Sequence, residues 1–185
     1  MGRAGGAGKM KPAVFLDRDG VINRGVVRDG KPYPPDAPDQ FELLPGVAEA
    51  VDRIRHAGFV IVVVTNQPDV ATGKQERSVV EAMHEKLRRL LPVDDIRVCY
   101  HIDADECACR KPKPGMLLDA AAEWDIDLAQ SVMVGDRWRD VGAGEAAGCQ
   151  TVFIDYGYAE QRPQTSDFIA ASLSDAVPFI LDSNR

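Results

Sequence analysis

The sequence lacks the features that would place it in a membrane or give it a general affinity for nucleic acid. No apolar run in its 185 residues approaches the roughly 20 residues that span a bilayer. Acidic residues outnumber basic ones, 29 to 22, and a net charge of -7 gives the surface no general attraction to nucleic acid or anionic lipid. Any phosphate site must therefore be a local concentration of positive charge.

Cysteine and histidine are scarce too, with four cysteines and three histidines in the chain. Three of the cysteines and one histidine nevertheless fall within eleven residues, and without a secretory signal such a cluster indicates metal binding rather than disulfides. The glycine-rich start carries no apolar stretch of the secretory type. The sequence thus predicts a disordered lead over residues 1–11 and a single domain over residues 12–185, acting as a monomer in the reducing cytoplasm.

The first chemically informative stretch is a short apolar run that ends in charge. Residues 13–16 are too few for a helix and predict a buried strand, which delivers Asp17, Arg18 and Asp19 into a loop. In an open α/β sheet, ligands bind outside the carboxyl ends of the strands, where two carboxylates can share a hard cation such as Mg²⁺ with a substrate phosphate. One carboxylate can attack phosphorus while the other moves protons. Taken alone, the same residues also describe an acidic turn.

Two later apolar runs also end in polar residues. The β-branched run over residues 59–64 predicts a strand buried on both faces, and it stops at Thr65 and Asn66. A hydroxyl and an amide there can donate hydrogen bonds to a phosphoryl oxygen without adding charge. The run over residues 131–134 stops just before Asp136, a further carboxylate at a strand end. Each pattern on its own is also an ordinary turn or helix N-cap signal.

Helical periodicity separates these strands. Apolar residues recur at helical spacing over residues 47–58, 75–91, 114–124 and 173–181. Such an alternation of strands and helices predicts an α/β domain in which helices cover both faces of a parallel sheet. His84 lies in the second of these helices, and because Arg88 one turn later is no metal ligand, no metal role is predicted for it.

The cysteine cluster has the composition of a structural zinc site. Three thiolates and one imidazole complete a tetrahedral set and leave no open position for water, which is typical of structural rather than catalytic zinc. The alternative is a chance grouping of unrelated side chains. The four predicted ligands are Cys99, His101, Cys107 and Cys109.

Positive charge is concentrated next to this cluster and in one long loop. Arg110 and Lys111 follow the last cysteine directly, where a fixed cation can stabilise charge on a phosphoryl group. Residues 24–38 contain several prolines and glycines, so no regular element is predicted there, although loops of this length usually bind or cover a ligand. Arg24 and Arg28 within the loop are candidate substrate contacts or, alternatively, scattered surface charge.

Taken together, these motifs resemble the haloacid dehalogenase superfamily of phosphohydrolases over residues 13–155. The stretch Asp-Arg-Asp-Gly-Val-Ile-Asn at residues 17–23 is similar to the first motif of the branch that contains phosphatases of heptose 1,7-bisphosphate and of histidinol phosphate. The cysteine cluster is similar to the zinc loop of the heptose enzymes. The resemblance implies a Rossmann-like parallel sheet flanked by helices, with a zinc-binding loop and no large cap domain.

The resemblance also implies a mechanism and a role for each motif. Asp17 is the implied nucleophile, which forms an aspartyl-phosphate, and Asp19 is the implied acid and then base. The residues implied to hold the phosphoryl group are Thr65, Asn66 and Lys111. The implied Mg²⁺ ligands are Asp17, the main-chain carbonyl of Asp19, and Asp136, with Asp140 supporting them.

The implied substrate is a small phosphorylated molecule, with Mg²⁺ as the catalytic cofactor and zinc as a structural one. We expect removal of the C7 phosphate of a heptose 1,7-bisphosphate, because a second phosphate favours arginine contacts. Histidinol phosphate is the alternative substrate, and a catalytically inactive binding module is the alternative from another functional class. The candidate substrate contacts are Asn66, Arg24, Arg28, Arg110 and Arg137. No chemistry is predicted for the tail beyond residue 155.

Overall fold

A computed structural model describes residues 10–183 of the chain. The strands found in that range are β1 (Ala13–Leu16), β2 (Val26–Arg28), β3 (Lys31–Tyr33), β4 (Val60–Asn66), β5 (Asp95–Cys99), β6 (Val132–Gly135), β7 (Gln150–Ile154) and β8 (Phe168–Ala170). The helices are α1 (Val47–His56), α2 (Arg77–Leu90), α3 (Gly115–Trp124), α4 (Trp138–Ala147) and α5 (Leu173–Asp182). The strands and helices predicted from periodicity are thereby confirmed, with ends shifted by a few residues.

Six of the strands form one sheet in the order β5-β4-β1-β6-β7-β8, and every neighbouring pair in it is parallel. β1 lies inside the sheet, with Leu16 opposite Val63 of β4 and Val134 of β6. Because the three strands run in the same direction, their carboxyl ends meet at one edge. The predicted parallel sheet is confirmed, and this register brings its polar strand ends together.

The side chains of β1 show how the sheet buries both of its faces. Val14 and Leu16 point into one apolar cluster, and Ala13 and Phe15 point into the other. Helices α1, α2 and α5 cover the first face, while α3 and α4 cover the second. Since a strand alternates its side chains between faces, a sheet covered on both sides needs continuously apolar strands. This is why the short apolar runs of the sequence form the core.

The loop over residues 24–38 differs from its prediction. It contains a hairpin of β2 and β3, so the expectation that no regular element forms there is wrong. Asp29 and Gly30 turn the chain with φ angles of 51° and 72°, the conformation that an Asp-Gly hairpin turn requires. Pro32 is tolerated because a two-stranded ribbon leaves one side of each strand without a hydrogen-bonding neighbour. The short strand β8 was also not predicted.

The ends of the chain bear on the predicted domain boundary. Residues 1–9 of the predicted lead lie outside the described residues, whereas Lys11 donates from its main-chain nitrogen to Asp125 at 3.0 Å and accepts from Asp127 at 2.8 Å. No helix between residues 10 and 183 is long and apolar enough to cross a membrane. Within the same range no separate cap domain is present, as expected from the resemblance.

Candidate active site

The carboxyl ends of β1, β4 and β6 form a cleft, which we call the carboxylate cleft. It brings together all four predicted catalytic residues, Asp17, Asp19, Thr65 and Lys111, although they come from distant segments of the chain. The residues that line it are Asp17, Asp19, Pro32, Tyr33, Pro34, Thr65, Asn66, Lys111, Arg137, Arg139 and Asp140. The β2–β3 hairpin thus contributes one wall of the cleft.

A buried lysine links two of the carboxylates. Lys111 donates from Nζ to Asp17 Oδ1 at 2.8 Å and to the carbonyl oxygen of Val64 at 2.8 Å, and it lies 2.6 Å from Asp140 Oδ1. Burial lowers the pKa of Lys111, but the charges of Asp140 and Asp17 outweigh it and raise that pKa above its usual value. Lys111 is therefore a fixed cation beside the predicted nucleophile.

Asp136 lies next to this ion pair with little compensation for its burial. Neither of its carboxylate oxygens, both buried, accepts a hydrogen bond of ordinary length and angle among residues 10–183, and the nearby hydroxyl of Tyr158 lowers its pKa only in part. Burial, with the charge of Asp17 next, raises the pKa of Asp136 well above its usual value. A buried carboxylate without a partner is costly, and a bound cation would remove that cost.

The surrounding backbone leaves room for such a cation. Ligand oxygens of Asp17, Asp136 and Asp140 lie within 4.8 Å of one another. Gly20 has φ of 90°, and a Cβ there would lie 2.0 Å from Asp136 Oδ2, so a side chain would fill the space. Carboxylate oxygens are the hard ligands that Mg²⁺ binds, usually one or two of them together with waters and a substrate phosphate. The residues present therefore fit the predicted ion, although Asp140 is already paired with Lys111.

The same crowding of charges shifts the pKa of Asp17, the predicted nucleophile. Burial, and then the charge of Asp140, raises the pKa of Asp17 to about 7, against the lowering effect of Lys111. Gly135 allows Asp140 to approach so closely, because a Cβ at residue 135 would lie 2.0 Å from the Asp140 Cβ. The other Asp140 oxygen accepts from the main-chain nitrogen of Arg137 at 3.0 Å, which caps helix α4. Asp140 therefore ties the helix start to Lys111.

Asp19 is surrounded by hydrogen-bond donors. It accepts from Arg18 at 3.0–3.2 Å, from Asn23 Nδ2 at 2.9 Å and from Gln67 Nε2 at 2.8 Å. Burial raises the pKa of Asp19, but Arg18 and the amide donors outweigh it and hold that pKa below its usual value. Sequence reasoning assigned no role to Gln67 or Asn23, although Asn23 closes the quoted first motif.

The two residues at the end of β4 have different surroundings. Thr65 accepts from Gln67 Nε2 at 3.0 Å through its hydroxyl and lines the carboxylate cleft. Asn66 donates to the carbonyl oxygen of Lys111 and accepts from its main-chain nitrogen, both at 3.2 Å. Its amide therefore holds the segment that carries Lys111, which we call the lysine loop (residues 110–114), against the strand. Substrate binding by Asn66 stays a prediction.

The predicted arginines are divided among three places. Arg137 lines the carboxylate cleft while pairing with Glu160 at 2.6 and 2.7 Å. Arg110 does not line that cleft, because its Nε donates to Asp103 at 2.8 Å. Arg139, which the sequence did not single out, lines the cleft and shares the same carboxylate at 3.1 and 3.2 Å.

The remaining two arginines lie outside the carboxylate cleft. Arg28 is exposed and pairs with Asp36 at 2.7 Å. Arg24 borders a separate cavity between the first loop and the tail, together with Tyr156 and Tyr158. Their proposed contacts with substrate stay predictions.

The tail contacts the site, although the prediction that it carries no chemistry stays a prediction. The hydroxyl of Tyr156 donates to the carbonyl oxygen of Gly20 at 2.8 Å and so fixes the first loop. Burial, followed by the charge of Asp136, raises the pKa of Tyr158. In the sequence, the only sign of these tyrosine contacts is a pair of tyrosines shortly after a strand, which is a weak signal.

The four cysteine and histidine side chains converge as predicted, in a segment that we call the cysteine loop (residues 99–109). Their ligand atoms all lie within 4.8 Å of one another, with Cys109 Sγ 3.1 Å from Cys99 Sγ and 3.3 Å from His101 Nδ1. All described cysteines are free of disulfides. These separations approach the spacing of ligands around one tetrahedral zinc, so the donor set fits that ion.

The cysteine loop leads directly into the lysine loop. Cys109 precedes Arg110 and Lys111, and the main-chain nitrogen of Gly115 donates back to Ala108 at 3.0 Å. A Cβ at residue 115 would lie 2.3 Å from the Ala108 carbonyl oxygen, so only glycine permits this contact. The geometry of the cysteine loop therefore fixes the position of Lys111.

Comparison with known proteins gives a consistent result. Residues 108–176 match the model of the HAD-hydrolase-like family. The chain is 39% identical to the D-glycero-beta-D-manno-heptose-1,7-bisphosphate 7-phosphatase of Bordetella bronchiseptica, over 78% of this chain and 80% of that one. It is 38% identical to the protein of that name from Vibrio cholerae, over 92% of this chain and 97% of the relative.

A solved structure shows the same likeness. The D,D-heptose 1,7-bisphosphate phosphatase of Bordetella bronchiseptica, crystallised with magnesium and phosphate, superposes with a TM-score of 0.75 at 33% identity. The superposition covers 92% of this chain and 98% of that one. The shared fold therefore extends well beyond the segment that matches the family model.

Proposed function

Because the chain belongs to the HAD-like hydrolase family and is a phosphatase, we propose that it removes the C7 phosphate of D-glycero-D-manno-heptose 1,7-bisphosphate with the help of Mg²⁺. The observation that carries the proposal is the buried array in which Lys111 joins Asp17 to Asp140 beside the buried carboxylate of Asp136. Relatives named for this substrate, covering most of the chain, support the choice of sugar.

Asp17 is the proposed nucleophile of the first step. Its carboxylate oxygen forms a bond to phosphorus while the bond from phosphorus to the sugar oxygen breaks, which gives an aspartyl-phosphate. Lys111 stabilises the negative charge on the phosphoryl oxygens, and Thr65 can donate its hydroxyl proton to one of them. A fixed cation beside the nucleophile needs no rearrangement when charge develops.

Asp19 is the proposed proton carrier. It protonates the departing sugar oxygen, and it then takes a proton from the water that attacks the aspartyl-phosphate, releasing phosphate and restoring Asp17. The donors around Asp19 favour its carboxylate form, which suits the second step. For the first step, the negative charge of an arriving phosphate raises the pKa of this carboxyl group and favours its protonated form.

The two metal sites have different proposed roles. Mg²⁺ held by Asp17, Asp136 and the main-chain carbonyl of Asp19 would neutralise phosphoryl charge during transfer. Zinc held by the cysteine loop would order Arg110 and Lys111 without taking part in the chemistry. The free cysteines suit a reducing compartment such as the cytoplasm.

The decisive experiment compares two substrates side by side. Phosphate release from heptose 1,7-bisphosphate and from histidinol phosphate is measured with Mg²⁺, with Asp17→Asn as the blank. We expect the bisphosphate to be preferred by about a hundredfold or more in kcat/KM, because cleft residues Arg137 and Arg139 can meet a second phosphate. Preference for histidinol phosphate would overturn the substrate assignment, and activity that survives in the blank would overturn the assignment of Asp17.

A further inference from the structure

A buried arginine and a buried histidine lie behind Asp19 without a role in the chemistry described so far. The side chain of Arg18 is 0% exposed, and His84 on helix α2 is 4% exposed. Arginine and histidine side chains are seldom buried unless neighbouring groups satisfy their hydrogen bonds and charge. Their partners therefore indicate what the burial achieves.

Arg18 connects Asp19 to His84. One arm of its guanidinium group donates from Nη2 to both oxygens of Asp19, at 3.1 and 3.0 Å, and Nε adds a bond of 3.2 Å. The other arm donates from Nη1 to Nε2 of His84 at 3.0 Å. The ring of Phe41 lies 6.0 Å from the guanidinium carbon. The planar fork is held at both ends, which fixes its orientation.

His84 accepts this hydrogen bond because its ring is neutral. Burial, followed by the charges of Arg18 and Arg88, lowers the pKa of His84 to about 3, against a smaller opposing effect of Asp19. The groove beside the ring is lined by two basic, two acidic and one phenolic side chain, namely Arg77, Arg88, Glu81, Glu85 and Tyr100. At neutral pH the unprotonated Nε2 therefore faces the arginine.

We propose that His84 and Arg18 are positioning residues, which hold the Asp19 carboxyl group in the orientation from which it protonates the leaving oxygen. The anchor runs from helix α2, packed on the sheet, through the guanidinium plane to the carboxylate. Asp19 lies on a loop, and loop side chains are the ones that need such support for proton transfer. This inference rests on the proposed function, because it assigns Asp19 as the acid.

The dependence of the rate on the leaving group separates positioning from general stability. An alkyl phosphate such as the sugar substrate needs its oxygen protonated as it departs, whereas p-nitrophenyl phosphate releases a stable phenolate that needs little help. Since kcat/KM reports the steps up to the first irreversible one, it isolates the formation of the aspartyl-phosphate. If Asp19 is wrongly oriented, hydrolysis of the alkyl phosphate should therefore slow more than hydrolysis of p-nitrophenyl phosphate.

The central variants are His84→Leu, which removes the acceptor, and His84→Gln, whose amide oxygen can replace it. We expect His84→Leu to lower kcat/KM by about tenfold or more for heptose 1,7-bisphosphate and by less than about threefold for p-nitrophenyl phosphate. His84→Gln should recover most of the loss. Met83→Leu is the matched control, because the adjacent residue is equally buried in α2 and contacts the core instead. Equal losses on both substrates, or no recovery with glutamine, would overturn the proposal.

A second measurement does not depend on activity. The Nε–H proton of Arg18, buried and bonded to Asp19, should exchange slowly with solvent by NMR in the parent chain and in His84→Gln. Its exchange should be at least about tenfold faster in His84→Leu, with Met83→Leu unchanged. Slow exchange in every variant would show that His84 does not hold Arg18, even if the parent proved inactive on all phosphate esters and the proposed function failed.

Discussion

The cysteine loop and the carboxylate cleft are both sets of metal-ligand side chains, but they are assembled in different ways. All four ligands of the cysteine loop lie within residues 99–109. In the carboxylate cleft, Asp17 meets a lysine 94 residues away along the chain. The first set can form when a short loop folds around an ion, whereas the second exists only after the sheet has assembled.

The two regions also differ in how deeply their side chains are buried. Asp17, Asp136 and Asp140 are all buried, whereas His101 is exposed and Cys107 and Cys109 are half-buried. Burial raises the pKa values of Asp17 and Asp136, and neighbouring carboxylate charges, which interact strongly in the buried cleft, raise them further. We therefore expect the order of the cysteine loop to depend on an ion, and we expect an ion in the cleft mainly to relieve the charge of its buried carboxylates.

The largest expected effect comes from removing the cation of the carboxylate cleft. Lys111→Met leaves buried carboxylates of Asp17 and Asp140 without their partner, and it removes the charge that we propose stabilises the phosphoryl group. We expect kcat to fall by about 10²–10³-fold and the free energy of unfolding to fall by about 3 kcal/mol. Steady-state kinetics and chemical denaturation measure the two effects.

Lys113→Met is the matched control for that variant. Lys113 lies two residues away, is exposed, and donates to the carbonyl oxygen of Glu106 at 3.0 Å. It should lose less than about 0.5 kcal/mol of stability and less than about twofold in kcat. If both methionine substitutions lowered stability and kcat equally, burial of Lys111 would have no energetic consequence. The proposed difference between the two regions would then be wrong.

The next effect tests whether the cysteine loop acts through order alone. Cys109→Ser should lose bound zinc and lower kcat by about tenfold or more, because Arg110 and Lys111 follow this ligand directly. Cys149→Ser is the control, since that cysteine is buried outside the loop. Metal analysis and kinetics are measured on the same samples. Full activity in a zinc-free Cys109→Ser protein would show that the lysine loop is ordered without the metal.

A third prediction concerns competition between protons and Mg²⁺. With the pKa of Asp17 at about 7, a proton occupies this carboxylate below neutral pH and must leave before the ion binds. We expect the Kd for Mg²⁺ to rise by up to about tenfold per pH unit below pH 7 and to level off above it, measured by titration calorimetry. In the Asp17→Asn variant, the Kd for Mg²⁺ should no longer rise as the pH falls below 7. If it still rises, the competing proton belongs to another group.

The same shift has a consequence for the metal-free protein. The folded-state pKa of Asp17 lies above its ordinary value of 3.8, so the folded state binds this proton more tightly than the unfolded one. The resulting contribution to stability is present below pH 3.8 and is lost as the pH rises towards 7. Mg²⁺ should restore it, and thermal unfolding with and without the ion measures the difference.

The smallest expected effect lies between the two regions. Asp103 belongs to the cysteine loop and pairs with Arg110 and with Arg139 of the cleft, but its side chain is 65% exposed. Exposed ion pairs contribute little, so Asp103→Asn should change KM by less than about fivefold and leave kcat nearly unchanged. Glu106→Gln is the control from the same loop. A large fall in kcat would mean that this surface contact couples the regions more strongly than its exposure indicates.

Much of the fold could be predicted because its signals are local. The apolar runs that became β1, β4 and β6 are continuous, and the helices between them show their own period. The β2–β3 hairpin could not be predicted in this way, because its prolines outweighed the Asp-Gly turn that forms it. β8 has only three residues, too few to show a period.

The sequence by itself determined which side chains are available and where the strands end. Asp17, Thr65 and Asp136 follow apolar runs, and the cysteine loop is complete within one short segment, so both were visible without a structure. Such features depend on neighbours along the chain.

Only the tertiary structure decided which of these groups meet. It paired Lys111 with Asp140, turned Arg110 away from the cleft while bringing Arg139 to it, and placed His84 behind Arg18. Apart from the local Arg110–Asp103 pair, these contacts join residues that are far apart in sequence, through the register of a parallel sheet and the packing of helices on its faces. No local pattern encodes them, because burial and partner choice arise only when the whole core closes.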